Sequence, residues 1–259
     1  MGLSQKQIEN IERTLKSSLR YKFQNYTPEP ASMPFHTRLL GKDRLALYSF
    51  IHSLSTNFGT SIFEPVAVAL AKNNFKIAEA HYTAGEFISE RAQLEIQKIM
   101  DNLTTAVSTP DKSAEIETIR KVCQEGHMIK VKPTQVDIFL EGNSGELYLF
   151  DIKTAKPNAG NFKEFKRTLL EWAGVILSSN PSAKVNTIIA IPYNPYEPQP
   201  YNRWTIRGML DLKNELLVGN EFWNFLGGPG AYDDLLDCFE RVGIELRPEI
   251  DQYFARFNR

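Results

Sequence analysis

The chain has only two cysteines, Cys123 and Cys238, in 259 residues. That is too few for a disulfide scaffold, and their separation is not that of metal-ligand pairs. Both read as reduced core thiols. Long apolar runs are also missing. No stretch approaches the roughly 18 apolar residues of a membrane span, and the start, M-G-L-S-Q-K-Q, has no apolar signal core. The expectation is a soluble cytoplasmic protein with no membrane partner. Neither charge sign dominates. Lys+Arg total 30 and Asp+Glu 31, for a net charge of -1. This excludes a generally basic nucleic-acid coat and confines any nucleic-acid surface to a local patch. There is no Gly-rich phosphate loop and no G-x-S-x-G elbow, so no motif calls for a nucleotide cofactor or a serine nucleophile. The histidines His36, His52, His81 and His127 show no metal spacing. No repeat or low-complexity tract is present.

What remains is ordinary globular composition, 42% hydrophobic and 24% charged, in an order that can be read. Apolar residues at helical spacing predict helices over Gln5–Leu19, Asp43–Asn57, Ser61–Asn73 and Gly85–Ala106. Tyr26–Pro34, with three prolines, reads as a loop, as does Ser108–Ser113; Ala114–Gln124 is ambiguous, with a short helix one option. Then the period changes. Met128–Lys132, Val136–Glu141 and Leu147–Lys153 read as strands, Asn161–Ser178 as a helix, and Val185–Ile191 as a strand buried on both faces. Four prolines between Ile191 and Trp204 forbid a helix or central strand there. Arg207–Leu217, Glu221–Leu226, Ala231–Val242 and Pro248–Phe257 read as helices. The expected fold class is α/β, a mixed central sheet flanked by helices. One nuclease domain spans 1–259 in this reading. Its parts are a helical region at 1–110, the sheet core at 111–191, and a loop with C-terminal helices at 192–259.

The chemistry concentrates in V-D-I-F-L-E-G-N-S-G-E-L-Y-L-F-D-I-K, Val136 to Lys153. Asp137 lies near the start of one strand; Asp151 and Lys153 end the next. Phosphodiester hydrolysis needs a cation on the phosphate, an activated water and a stabilised leaving oxygen. Mg²⁺ prefers oxygen ligands and keeps several waters, so Asp137, Asp151 and the Ile152 carbonyl could hold it. Lys153, two residues beyond Asp151, projects from the same strand face and could position the water or stabilise developing charge. The tripeptide acidic-x-lysine occurs three times, at Asp151–Lys153, Glu164–Lys166 and Asp211–Lys213. Only the first lies in an expected strand. Its use makes a demand: a two- or four-residue loop would turn Asp137 away from Asp151. A three-residue loop, Asn143-Ser144-Gly145, would set them opposite, with Gly145 left-handed. The alternative is a solvated hairpin with charged ends.

Other positions carry two readings. Ser61 and Glu64 have capping-box spacing, with Pro65 suited to a first helical turn; Glu64 is alternatively a further carboxylate reaching the metal. Five basic residues lie between 151 and 170. Lys163 and Lys166 belong to a solvated helix face or meet phosphates, and Lys156, in a loop, is the better phosphate contact. In the proline-rich loop and after it, Tyr201, Asn202, Arg203 and Arg207 are either base readers or packed surface anchors.

These residues resemble the PD-(D/E)XK nuclease superfamily, whose core is a helix, three strands, a helix and a strand. Val136-Asp137 stands where that motif has Pro-Asp, and Asp151-Ile152-Lys153 matches its second half. Further stretches resemble the TdeIII type of type II restriction endonucleases: M-P-F-H (Met33–His36), S-F-I-H-S-L (Ser49–Leu54), F-G-T-S-I-F-E-P-V-A (Phe58–Ala67) and E-F-W-N-F-L-G-G (Glu221–Gly228). The resemblance implies Mg²⁺-dependent cleavage of both strands of duplex DNA at a short symmetric, GGNCC-like site. It raises Glu64 as a catalytic residue. Asn158, in the loop after the second strand, is taken as a further DNA contact. A two-fold site is met most simply by a homodimer. A repair or structure-specific nuclease of the same superfamily, or a catalytically silent DNA-binding protein, are the alternatives.

Overall fold

The computed structural model describes residues 2–25, 33–132, 135–157, 162–202 and 208–255, with backbone alone at 43 and 54–60. The helices are α1 (Gln5–Asn25), α2 (Pro34–Leu40), α3 (Lys42–Phe58), α4 (Glu64–Ala71), α5 (Glu90–Thr104), α6 (Lys112–Val122), α7 (Phe162–Ser179), α8 (Asn220–Gly227), α9 (Ala231–Glu245) and α10 (Arg247–Ala255). The strands are β1 (Ile77–Thr83), β2 (Phe87–Ser89), β3 (Met128–Lys130), β4 (Gln135–Glu141), β5 (Glu146–Ile152), β6 (Lys184–Ile191) and β7 (Leu216–Val218).

Among the described residues, five strands form one mixed sheet in the order β1-β4-β5-β6-β7, and β2 pairs β3 apart from it. The β1/β4 and β4/β5 pairs are antiparallel; β5/β6 and β6/β7 are parallel. Between β5 and β6 the chain crosses through α7, as a parallel connection requires. This is the restriction-endonuclease-like arrangement, a mixed sheet flanked by helices.

Two apolar layers cover the sheet. Ile138, Leu140 and Phe150 pack with α1, α4, α8 and α9. Phe139, Leu149, Val185 and Ile189 pack with α5, α6 and α7. Phe150 meets Phe222 at a ring separation of 5.6 Å, and both are fully buried. Burying a side chain of this kind stabilises by roughly 1.5–3 kcal/mol. Gly174 lets α7 approach closely: a Cβ there would stand 2.8 Å from Ile88 and 2.9 Å from Ile96. Side chains cap two helices of this layer. Ser89 Oγ accepts the Ala92 N–H at 3.0 Å, starting α5, and Asp111 Oδ1 accepts the Ala114 N–H at 2.9 Å, starting α6. Each such cap contributes about 1 kcal/mol.

Several sequence expectations are corrected. Residues 87–89 form β2 rather than the start of a helix, and β3 leaves the main sheet to pair with it. Residues 77–83, unassigned from sequence, are the edge strand β1. Pro34–Leu40, placed at a loop end, is α2. Within the expected helix Arg207–Leu217, the described part is turns followed by β7, and Gly208 has φ +88°.

Candidate active site

The β4–β5 hairpin closes on three residues. Glu141 pairs Leu147, Gly142 donates its N–H to the Glu146 carbonyl at 2.7 Å, and Gly145 has φ +84°. Asn143-Ser144-Gly145 is therefore the loop, and glycine suits its left-handed last position. The regular pairing ends at Ile138↔Phe150. One further step along it sets Asp137 opposite Asp151. There the two strands part: β5 continues beside β6 to Ile152↔Ala190, and Asp137 Oδ2 accepts the Ile152 N–H at 2.7 Å. The Asp137 carboxyl is near enough to Asp151 to push its pKa up.

Lys153 Nζ lies 2.5 Å from Asp151 Oδ1. It also stands 4.8 Å above the centre of the Phe165 ring of α7. Glu64 arrives from the other layer. Here α3 runs into α4 through a π-helical turn, Gly59–Phe63. No helix begins at Ser61, so the capping-box reading of Glu64 fails; α4 has no side-chain cap hydrogen bond. A π turn shifts the rotational phase of the next helix, and such turns recur at functional sites. Glu64 is 1% exposed, and its Oε2 has no hydrogen-bond partner.

Glu64, Asp137, Ile152, Lys153 and Lys156 line one cleft of about 960 Å³, with Tyr193, Trp223 and Tyr232 on its apolar side. Asp151 sits behind that wall, 6% exposed. Burial, together with the charges of Asp137 and Asp151, pushes Glu64 up to about 7. Burial likewise pushes Asp151 up to about 7; the Lys153 ammonium opposes this and Asp137 adds to it. Three acids thus crowd one lysine, and two of them keep their protons up to about pH 7. A divalent cation fits that donor set. Among the described residues, no three Asp, Glu, His or Cys side chains are grouped so that they could hold one metal ion between them. Mg²⁺ does not need such a group, since one or two carboxylates and waters suffice.

The remaining expectations divide. Lys156 is exposed, 5.6 Å from the Tyr196 ring centre. The Tyr201 hydroxyl donates to the Ala155 carbonyl at 3.1 Å. It thus anchors the proline-rich loop to the loop after β5. Asn202 is exposed beside it. Asn158, Arg203 and Arg207 lie outside the described residues. Lys163 is exposed, but Lys166 is 0% exposed and bonded to Glu115 and Glu215, so it is neither solvated nor a phosphate contact. Sequence reasoning passed over two histidines. His52 lines the cleft, and His81 Nδ1 lies 3.4 Å from Glu64 Oε2.

A buried acidic pair at a parting hairpin, a lysine two residues on and a carboxylate from the covering helix stand together on a restriction-endonuclease-like fold. The family model of the HinfI type II restriction endonuclease matches residues 3–243. The chain belongs to that family, and its members are site-specific deoxyribonucleases. It is 26% identical to the type II restriction enzyme HgiBI of Herpetosiphon aurantiacus, over 91% of this chain and 88% of that one. It is 26% identical to the type II restriction enzyme MjaII of Methanocaldococcus jannaschii, over 100% of this chain and 75% of that one. HgiCII of Herpetosiphon aurantiacus is 24% identical over 84% and 80%.

Proposed function

We propose that this restriction endonuclease uses Mg²⁺ to hydrolyse both strands of duplex DNA at a short symmetric site. GGNCC-like sequences are the first to test, from the resemblance of the quoted stretches. The observation that carries the reading is the meeting of Asp137, Glu64 and Lys153 at one cleft, with Asp151 buried behind its wall. Asp137, Asp151 and the Ile152 carbonyl would hold the cation, with Glu64 reaching it or its waters. Bound Mg²⁺ supplies charge neutralisation at the phosphate and a more acidic water. Lys153 orients that water and stabilises charge on the reacting phosphate. Lys156, Asn158, Asn202, Arg203 and Arg207 would meet the DNA, with Tyr201 holding their loop. One nuclease domain, acting in the cytoplasm as a homodimer, suits a two-fold site.

The test is cleavage of diverse plasmid DNA in Mg²⁺ and in EDTA, with sequencing of the ends. Discrete fragments with ends at one symmetric sequence are expected, none in EDTA and none from Lys153→Ala. Plasmid left uncut in Mg²⁺ would sink the proposal. Cutting only of branched or single-stranded DNA would favour a structure-specific nuclease instead.

A further inference from the structure

His81 sits in β1, where its neighbours pair regularly with β4: Ala80 with Ile138 and Tyr82 with Val136. Between them its own backbone is left-handed, φ +57°. A non-glycine residue enters that region at a cost, least for asparagine, aspartate and histidine. No turn is made here, because the strand resumes at once in the same register. The distortion falls at the position this register sets opposite Asp137, and it brings the ring to the buried carboxylate of Glu64. The gap of 3.4 Å is wider than a well-formed hydrogen bond, and Glu64 Oε2 has no other partner. His81 is half exposed on the edge strand, and a strained residue held against an unpartnered buried acceptor is a common mark of a functional site.

We propose that His81 is a positioning residue, fixing Glu64 so that its carboxylate faces the cation held by Asp137 and Asp151. Resting on the nuclease reading for its setting, it adds a group that orients a ligand rather than touching substrate. Losing such an orienting partner typically weakens metal binding 10–100-fold. The distorted backbone is then retained for the ring it delivers.

Three forms of the protein separate this from a structural role: wild type, His81→Gly and His81→Asn. Glycine accepts the backbone and removes the ring; asparagine accepts the backbone and keeps a nitrogen donor near Nδ1. Mg²⁺ alone is titrated into each DNA-free protein by calorimetry, and melting is measured in EDTA. His81→Gly is expected to melt in EDTA at or above the wild-type temperature, yet bind Mg²⁺ at least about tenfold more weakly. His81→Asn should recover most of that affinity. In plasmid cleavage the glycine variant should need more Mg²⁺ for half-maximal rate. Wild-type Mg²⁺ affinity in His81→Gly overturns the proposal, as does an asparagine variant no better than glycine, or a wild type that binds no Mg²⁺. A wild type that binds Mg²⁺ but cuts no DNA sinks the nuclease reading instead, and leaves the His81 comparison decisive.

Discussion

Two groups of buried charges lie on this sheet, and they are built differently. Behind α6 and α7, Lys166 Nζ reaches Glu115 at 2.5 Å and Glu215 at 2.7 Å, and Lys112 Nζ reaches Glu215 at 3.2 Å. Lys112 also donates to the Thr187 hydroxyl, and Glu215 accepts the Asp211 N–H at 2.8 Å. Two lysines meet two glutamates, so the charges of that network balance, although Glu115 Oε1 has no hydrogen-bond partner. At the cleft, among the described residues, Glu64, Asp137 and Asp151 meet one lysine, Lys153, with His81 beside Glu64. Burial alone does not mark a functional site, since both groups are buried. The unbalanced charge does, because it can be relieved by something from outside.

The sharpest test of this contrast replaces one lysine in each group. Lys166→Met leaves Glu115 and Glu215 facing each other without their shared cation. A loss of about 3–5 kcal/mol in stability is expected, a large fraction of a typical 5–15 kcal/mol total. Lys153→Met should change stability by less than about 1 kcal/mol, because its side chain is 28% exposed and Asp151 can remain protonated. Its DNA cleavage should nevertheless fall about 10²–10³-fold. Chemical denaturation and plasmid cleavage of both variants decide it. Equal stability losses would end the contrast.

Next in size is the response to pH. Burial and mutual repulsion raise Glu64 from 4.5, and Asp151 from 3.8, to about 7 in the folded protein. Between those values the folded state keeps protons the unfolded chain has lost. Their contribution to stability is therefore full below pH ~4 and is lost as pH rises through ~7. In EDTA, Glu64→Gln should gain stability relative to wild type on going from about pH 5 to about pH 8. Mg²⁺ should reverse this for wild type, stabilising it above pH ~7 and little at pH ~5. Melting of both proteins across this range checks the sign. A wild type whose relative stability rises with pH in EDTA would refute it.

The same contrast explains what sequence could reveal. The hairpin was legible because its turn chemistry and its period of two agree; the loop length that turns Asp137 toward Asp151 was a demand of the chemistry, which the three-residue loop meets. The balanced network was not. Glu164–Lys166 and Asp211–Lys213 looked like idle copies of the motif, yet Lys166 and Asp211 both serve that network. Their partners Glu115 and Glu215 lie 51 and 49 residues from Lys166, a distance no local pattern spans. The strand β1 was hidden because its even positions 78 and 80 are alanines, weak strand formers, on an edge that is half exposed. His81 went unseen for a related reason: a left-handed non-glycine residue leaves no trace in composition or period. In Arg207–Leu217, helical spacing misled, since the tight turns before β7 carry apolar residues by chance at that spacing.

The smallest expected effect concerns a lysine belonging to neither group. Lys156 is exposed on the cleft rim, so it has no buried acid to balance and no reacting atom within its role. If it meets a phosphate, Lys156→Ala should lower DNA affinity only a few-fold, uniformly across sequences. The slope of log affinity against log salt should fall by about 0.9, the value for one phosphate contact. The cleavage rate at saturating DNA and the Mg²⁺ requirement should stay as in wild type. Fluorescence anisotropy at several salt concentrations, in EDTA so that nothing is cut, measures the slope directly. An unchanged slope would remove Lys156 from the DNA surface. A slower saturated rate would move it into the catalytic group and make the division by charge balance too simple.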